Sequence, residues 1–186
     1  GSADVAALLR CLRRLYAAGM PDEALRAIGL TVGSDVPFCV SGGTSLAEGR
    51  GERLTDLPPL PVCQIVLCKP DFGISTPELF VLADEAVLSK RPDIAGLTAA
   101  LQGGELTGVT DRLCNVFEEF LPERYREVFR IKEILLAHGA LNAAMSGSGP
   151  TVYGIFESAA EAQRAAEVLK KSYQQTYVAK PVKKLV

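Results

Sequence analysis

A loop of small residues between two apolar stretches is the first segment that could do chemistry. It comprises Gly147, Ser148, Gly149 and Pro150. Backbone N–H groups in such a loop can form a concave nest for phosphate oxygens, and the small side chains let a ligand approach the backbone closely. A hairpin turn without a ligand explains the same residues. Because glycine-rich turns are common, the loop taken alone favours that simpler interpretation.

Asp35 stands between Gly33 and Pro37, and the apolar residues Phe38 and Val40 follow it. A carboxylate held beside an apolar wall could accept a proton from a substrate hydroxyl. Aspartate is also a good N-cap residue, and proline is tolerated in the first turn of a helix. An ordinary helix cap is therefore the simpler interpretation of Asp35 taken alone.

The first residues of the chain, Gly1, Ser2 and Ala3, lead into an amphipathic helix. Free N–H groups and the helix dipole favour anions at such a start, so these residues could hold a phosphate. A Gly-Ser pair is also a common remnant of expression vectors. Without further motifs, the remnant is the simpler explanation.

Thr76 and Phe80 lie four residues apart on a predicted helix and therefore share a face. Together they offer a hydrogen-bonding hydroxyl beside an aromatic plate, which suits a nucleobase. One core phenylalanine and one capping threonine would give the same pattern, and that interpretation is the simpler of the two.

Hydrophobic periodicity and turn residues predict the elements that must position these groups. The first part of the chain contains an amphipathic helix over 3–18, a short helix over 22–28, a helical turn after Asp35 and a β-hairpin over 42–56. Three prolines within 58–61 form a stiff segment, which we take as a domain boundary. The predicted domains are therefore residues 1–58 and 59–186.

The second part is predicted to begin with a buried strand and to alternate strands with helices. The predicted elements are a strand over 62–69, a helix capped by Ser75 or Thr76, a weakly patterned region over 86–110, a helical region over 112–137 broken near Pro122, strands over 141–145 and 151–156, a helix over 158–172 and a strand over 176–182. This order is the ferredoxin-like split βαβ pattern, so the fold class is α+β.

The composition excludes several classes of protein. Lysine and arginine number 20 against 22 aspartates and glutamates, so no nucleic-acid partner is expected. Apolar runs are far shorter than the ~20 residues that span a bilayer, so no membrane partner is expected. Five cysteines without regular spacing and one histidine fit neither a disulfide framework nor a metal site. We therefore expect a cytoplasmic protein that holds no metal through its own ligand cluster.

The motifs together resemble the GHMP superfamily of small-molecule kinases, named after galactokinase, homoserine kinase, mevalonate kinase and phosphomevalonate kinase. Within it, their order and spacing look like the branch that phosphorylates diphosphocytidyl-methylerythritol. The matching segments are GSADVAALL (1–9), GSDVPF (33–38), GGTSLAEGRGERL (42–54), KPDFGISTPELF (69–80) and SGSGPTVYGIF (146–156). GSDVPF followed by the GRGE hairpin is the more specific signal for that branch, whereas SGSGPT is general to the superfamily.

The resemblance implies an architecture and a reaction. Residues 1–58 would be the C-terminal part of the N-terminal, ATP-binding domain, which has the ribosomal protein S5 domain 2-like fold. Residues 59–186 would be the ferredoxin-like βαββαβ C-terminal domain. Asp35 would be the catalytic aspartate that takes the proton from the 2-hydroxyl of 4-diphosphocytidyl-2-C-methyl-D-erythritol in the non-mevalonate route to isoprenoids.

The resemblance also implies the ligand contacts. Gly1, Ser2 and Ala3 resemble the end of the family's phosphate loop, which favours native residues over a vector remnant and implies binding of ATP with Mg²⁺. Phe80 would stack on the cytosine and Thr76 would line the same pocket. Gly147, Ser148 and Gly149 would support the phosphate loop and border the substrate pocket.

A long preceding region in this family carries a catalytic lysine, the adenine pocket, most of the phosphate loop and much of the cytidine site. We therefore expect the missing N-terminal segment as a partner of this chain, and we expect the chain alone to be inactive.

Two alternative functions stay open: another GHMP kinase of the homoserine or mevalonate type, and a non-catalytic ferredoxin-like module that binds a small molecule or a partner.

Overall fold

The computed structural model describes residues 1–89 and 91–182, which form two compact units. The first unit comprises Gly1–Pro59 together with Val182, and the second comprises Leu60–Pro181. None of the helices in the described ranges is long and apolar enough to cross a membrane. All five cysteines lie within these ranges and are free thiols.

The first unit consists of three helices followed by a hairpin. The elements are α1 (Ser2–Tyr16), α2 (Asp22–Val32), α3 (Val36–Ser41), β1 (Thr44–Glu48) and β2 (Arg53–Leu57). The strands are antiparallel, and Thr44 pairs with Leu57. The predicted helix over 3–18 and the hairpin are confirmed. Helix α2 runs four residues past the predicted end at 28, because Gly29 is a buried helix position that packs against Val36.

The core of the first unit is small. Ala6, Leu25, Val36 and Val40 are buried and form its centre. Because Ala6 has only a methyl side chain, α1 can approach α3 closely. The opposite side of α1 carries apolar side chains that remain exposed: Leu8 59%, Leu12 43%, Leu15 70% and Tyr16 81%. The apolar residues that predicted α1 therefore lie on two faces of the helix, and the first unit buries only one of these faces.

The second unit is a four-stranded sheet with helices. Its elements are β3 (Gln64–Lys69), α4 (Thr76–Glu85), α5 (Ile94–Gly103), α6 (Leu106–Thr110), α7 (Glu127–Ala137), β4 (Asn142–Met145), β5 (Val152–Phe156), α8 (Ala159–Lys170) and β6 (Gln175–Ala179). The strand order is β4-β5-β3-β6, and every neighbouring pair is antiparallel. This arrangement confirms the α+β class and the ferredoxin-like strand order.

Two regions differ from the sequence prediction. Residues 86–110, predicted as weakly patterned, contain α5 and α6; Asp93 caps α5 by accepting a hydrogen bond from Gly96 N at 2.9 Å. The region 112–126, predicted as α-helical, instead holds two 3₁₀ turns, Val116–Phe120 and Glu123–Tyr125. Pro122 explains this break, because it lacks an N–H group and favours extended backbone before the second turn.

Helices α7 and α8 supply the apolar layer that covers the sheet. The buried cluster contains Val128, Ile131 and Leu135 from α7, Ala162, Ala165, Ala166 and Leu169 from α8, and Val66, Cys68, Val152 and Phe156 from the strands. The alanines let the backbone of α8 lie close to the strands. The strands β4 and β5, which the glycine loop joins, both contribute residues to this core.

Tyr173, just after α8, belongs to this core and reaches across to α7. It is 7% exposed, and its phenol donates a hydrogen bond to the carboxylate of Glu127. Burial raises the pKa of Tyr173 to about 12, and the hydrogen bond and charge of Glu127 act in the same direction. The folded state therefore favours the protonated phenol more than the unfolded state does.

We predict that Tyr173→Phe lowers the free energy of unfolding by about 1.5 kcal/mol at neutral pH, because the Glu127 carboxylate loses a donor. A raised pKa in the folded state stabilises fully below the unfolded pKa of about 10 and is lost as the pH rises through about 12. Urea unfolding measured from neutral pH to about pH 12 should show that the difference in the free energy of unfolding between wild type and variant shrinks as the pH rises.

Tyr177→Phe is the matched control, because Tyr177 is 60% exposed. It should change stability by less than about 0.5 kcal/mol at any of these pH values. A Tyr173→Phe effect of constant size up to pH 12 would contradict the assignment.

Candidate functional site

Asp35 occupies the N-cap position of α3, where its backbone φ is −86° and its ψ is −11°. Within the described residues, its carboxylate accepts no capping hydrogen bond from that helix. Pro37, at the second position of the helix, removes one of the two N–H groups that an N-cap side chain normally binds. Asp35 is exposed. The Asp35 carboxylate therefore does not cap α3, although the residue occupies the capping position.

The helix that follows Asp35 is largely apolar and buried. Val36, Pro37 and Val40 are buried. Burial raises the pKa of the Cys39 thiol, and the negative charge of Asp35 raises it further, while Arg10 acts in the opposite direction. The Asp35 carboxylate thus lies close enough to Cys39, one helical turn away, to influence the pKa of that thiol.

The start of α1 lies beside the Asp35 turn in the same unit. A side chain added at Gly33 would come within 3.9 Å of Ser2 Oγ, so the Ser2 hydroxyl adjoins the residue two before Asp35. The first backbone donors within the helix are Asp4 and Val5, which both bond to the carbonyl of Gly1. The N–H groups of Ser2 and Ala3 precede these donors, in the turn where a helix start can bind an anion.

The hairpin turn supports the Asp35 turn from another side. Gly51 has a φ of +107°, and a Cβ placed there would lie 2.4 Å from the backbone oxygen of Ser34. Both the backbone conformation and this contact require glycine. Glu52 closes the turn by accepting a hydrogen bond from Arg50 N at 2.6 Å. The two motifs GSDVPF and GRGE therefore meet in space.

We predict that Gly51→Ala destabilises the first unit by about 2 kcal/mol, because the new methyl group displaces the Ser34 carbonyl and the φ becomes strained. Hydrogen exchange should be faster in residues 33–38. Gly19→Ala is the control, since no described atom lies within 4 Å of a Cβ at that position. Equal exchange and equal stability in the two variants would refute the proposed support.

Thr76 and Phe80 project from the first turns of α4 in the second unit. Ser75 is the cap, since its Oγ accepts a hydrogen bond from Glu78 N at 3.4 Å. The hydroxyl of Thr76 instead lies 2.7 Å from Ser148 Oγ. Phe80 is 56% exposed, and its ring meets Phe117 edge to face at 5.3 Å. Neither a capping threonine nor a core phenylalanine therefore describes this pair.

The glycine loop is a tight turn between β4 and β5. Gly149 N donates to Ser146 O at 2.9 Å, and Ser146 N donates to Thr151 O at 2.8 Å. A side chain at Gly149 would come within 2.4 Å of the Met145 sulfur, whereas a Cβ at Gly147 would meet no described atom within 4 Å. Gly149 thus serves close packing, and Gly147 leaves open space beside the backbone.

Asn115 holds this loop, and the sequence interpretation missed it. Its Nδ2 donates to Met145 O and to Gly147 O, each at 2.8 Å, while its Oδ1 accepts from Phe117 N at 3.0 Å. A cleft of about 350 Å³ beside the loop includes Asn115, Phe117, Gly147 and Tyr153 in its wall. An asparagine immediately before a helical turn is the one sequence signal that could have drawn attention to it.

The structure thus brings the predicted site residues together in two groups, one in each unit. The first unit places the Gly1-Ser2-Ala3 start beside the Asp35 turn. The second unit places Thr76 against Ser148 of the loop that also holds Gly147 and Gly149, with Phe80 on the same helix as Thr76.

Comparison with known proteins shows similarity to GHMP kinases. The profile described as "GHMP kinases C terminal" matches residues 96–175. The chain is 42% identical to the 4-diphosphocytidyl-2-C-methyl-D-erythritol kinase of Enterococcus faecalis over 98% of its length. It is 38% identical to the enzyme of the same name from Clostridium acetobutylicum, again over 98% of its length.

The chain spans 64% of the Enterococcus protein and 65% of the Clostridium protein. Among solved structures, a crystal structure of 4-(cytidine 5'-diphospho)-2C-methyl-D-erythritol kinase superposes with a TM-score of 0.78 at 28% identity, over 97% of this chain and 64% of that one. The mevalonate kinase of L. major gives a TM-score of 0.78 at 19% identity, over 98% of this chain and 65% of that one, which is a likeness of fold. Residues 96–175 thus resemble the C-terminal domain of GHMP kinases, and the chain as a whole is similar to part of the kinases named above.

Proposed function

We propose that this chain is part of a kinase that transfers the γ-phosphoryl group of ATP to the 2-hydroxyl of 4-diphosphocytidyl-2-C-methyl-D-erythritol. The similarity to kinases of that name along nearly the whole chain supports the substrate. The observation that carries the proposal is the Asp35 carboxylate, exposed, not used in capping within the described residues, and placed on the turn that adjoins Ser2.

Asp35 is the proposed general base. It accepts the proton of the 2-hydroxyl as that oxygen attacks the γ-phosphorus, and the bond from the γ-phosphorus to the bridging oxygen breaks to release ADP. Phosphoryl transfer depends mainly on positioning and on neutralising charge, so a single base together with donors to the phosphates supplies what the protein must add. Val36 and Val40 of the helix that follows are buried, whereas Asp35 itself is exposed and accessible to a substrate hydroxyl.

The start of α1 is the proposed phosphate contact. Gly1, Ser2 and Ala3 would face the ATP phosphates with their backbone N–H groups at the positive end of the helix dipole. The described residues contain no cluster of three His, Cys, Asp or Glu side chains that could hold a metal ion. Mg²⁺ is therefore proposed to arrive with ATP, whose phosphate oxygens supply ligands that this ion prefers.

The cytidine group is the proposed ligand of the second unit. The exposed Phe80 ring, steadied by Phe117, offers a stacking face, and Thr76 adds a hydroxyl on the same side of α4. Gly147, Ser148 and Gly149 would border this pocket, where the open space at Gly147 admits a ligand. The cytoplasm is the proposed compartment, which the five free thiols support.

We also propose that another segment must cover the first unit before the enzyme turns over. The exposed stripe of Leu8, Leu12, Leu15 and Tyr16 on α1 supports this requirement. The part of the curated relatives that this chain does not span is the proposed covering segment.

We propose that residues 1–58 are the end of the ATP-binding domain and that residues 59–186 are the C-terminal domain. By itself, the chain is expected to be inactive.

We predict that the chain preceded by the unmatched N-terminal part of the Enterococcus faecalis relative phosphorylates the cytidyl substrate, and that Asp35→Asn lowers kcat about 10²–10⁴-fold. Thermal stability should stay within about 0.5 kcal/mol of wild type, because the Asp35 carboxylate caps no helix. ADP release measured against ATP and substrate concentration provides the test.

Asp111→Asn is the control, since Asp111 is exposed and lies in the second unit. Wild-type turnover in the Asp35→Asn variant would reject the proposed base. Turnover of homoserine or mevalonate instead of the cytidyl substrate would favour another GHMP kinase, and turnover by the 186-residue chain alone would reject the need for cover.

We predict that Phe80→Ala weakens CDP binding to the chain about tenfold, because stacking of an aromatic ring on a base contributes about 1–3 kcal/mol. Isothermal titration measures the dissociation constant directly. Val81→Ala is the control, since Val81 is the next residue of α4 and is 59% exposed. If both variants bind CDP as wild type does, the stacking role of Phe80 is wrong.

A further inference from the structure

We propose that Asn115 is a positioning residue that fixes the glycine loop and couples it to the Phe80 shelf, by which we mean the exposed Phe80 ring and the Phe117 ring that packs against it. The loop's role in ligand binding rests on the function proposed above, whereas the coupling itself rests on contacts within the second unit. Asn115 is half-buried, and its amide makes hydrogen bonds with three separate backbone groups.

The donor side of Asn115 fixes both the start and the interior of the loop. One Nδ2 group donates to Met145 O, the last residue of β4, and to Gly147 O, each at 2.8 Å. Gly147 has a φ of +55°, a conformation that glycine adopts readily. Without these hydrogen bonds, the glycine backbone could sample many other conformations. The side-chain amide therefore selects one loop conformation from those that glycine permits.

The acceptor side of Asn115 links the loop to the shelf. Its Oδ1 accepts a hydrogen bond from the N–H of Phe117, the second residue of the 3₁₀ turn Val116–Phe120, and the Phe117 ring packs on Phe80. On the other side of the loop, the Thr76 and Ser148 hydroxyls are 2.7 Å apart. The loop is thus connected to α4 by two routes, and one passes through Asn115.

Glu118 completes the attachment from the same 3₁₀ turn. Its Oε1 accepts a hydrogen bond from Met145 N at 2.6 Å, and its other oxygen pairs with Lys132. β4 is an edge strand, so the outward N–H and C=O of Met145 would otherwise lack partners in the sheet. Asn115 and Glu118 satisfy both groups, which ties the turn to the end of the strand that carries the loop.

The test is hydrogen exchange of the full chain by mass spectrometry, with two variants. Asn115→Asp keeps an acceptor for Phe117 N but replaces the amide donor with a carboxylate that faces two carbonyl oxygens. Asn115→Ser keeps a side chain suited to capping and replaces the amide, which binds both carbonyl oxygens, with a shorter hydroxyl that has a single O–H and adds no charge. In both variants, we expect the amides of 147–149 to exchange at least about tenfold faster, because the two hydrogen bonds of the amide are lost.

Asn142→Asp is the matched control. Asn142 likewise donates to a backbone carbonyl, Thr110 O at 2.7 Å, and accepts from a backbone amide, Ala143 N at 2.8 Å, but at the other end of β4. It should leave exchange in 147–149 unchanged. Exchange in the Asn115 variants equal to that of the Asn142 control would overturn the positioning role.

A CDP titration of the same proteins separates this inference from the proposed function. We expect the Asn115 variants to bind CDP at least about tenfold more weakly than the Asn142 control does, since a mobile loop and shelf bind less well. Fast loop exchange with undiminished CDP binding would overturn the coupling to the shelf. If wild type binds no CDP, the proposed cytidine site fails, and the exchange result still decides whether Asn115 fixes the loop.

Discussion

Close approach to the backbone of a glycine is the constraint on which both candidate sites depend, one in each unit. In the first unit, the Gly51 turn touches the Ser34 carbonyl, and a methyl group there would leave no room for the Asp35 turn. In the second unit, Gly149 packs directly on Met145. Glycine permits these approaches but also leaves the backbone free to move, so each site needs a further group to hold it. Glu52 serves in the hairpin turn, and Asn115 serves in the glycine loop.

Local chemistry made much of this arrangement predictable. The hairpin, the strands flanking the glycine loop and the helices capped by Ser75 and Ser158 follow from residues close together in sequence. Their determinants are side-chain alternation, turn glycines and caps, which act over a few positions. The simpler interpretations of Asp35 as a cap and Phe80 as a core residue were wrong because exposure and partner choice are tertiary properties.

The remainder could not be predicted because its determinants lie far apart in the sequence. Asn115 bonds to carbonyls that follow it by 30 and 32 positions. No pattern within a short window records such a contact. The same holds for 112–126, where apolar spacing fits a helix, but Asn115 and Pro122 leave two 3₁₀ turns. Long-range bonds to the edge of β4 compensate for the α-helical hydrogen bonds that this segment does not make.

The two faces of α1 join stability to function in the first unit. Ala6 packs inward, while the stripe of Leu8, Leu12, Leu15 and Tyr16 is 43–81% exposed. Full burial of one large apolar side chain stabilises by about 1.5–3 kcal/mol, so covering these four would contribute several kcal/mol. That is comparable with the entire folding free energy of a small domain, about 5–15 kcal/mol. A segment that covers α1 would therefore also stabilise the turn that holds Asp35, because α1 packs on α3, the helix that this turn begins.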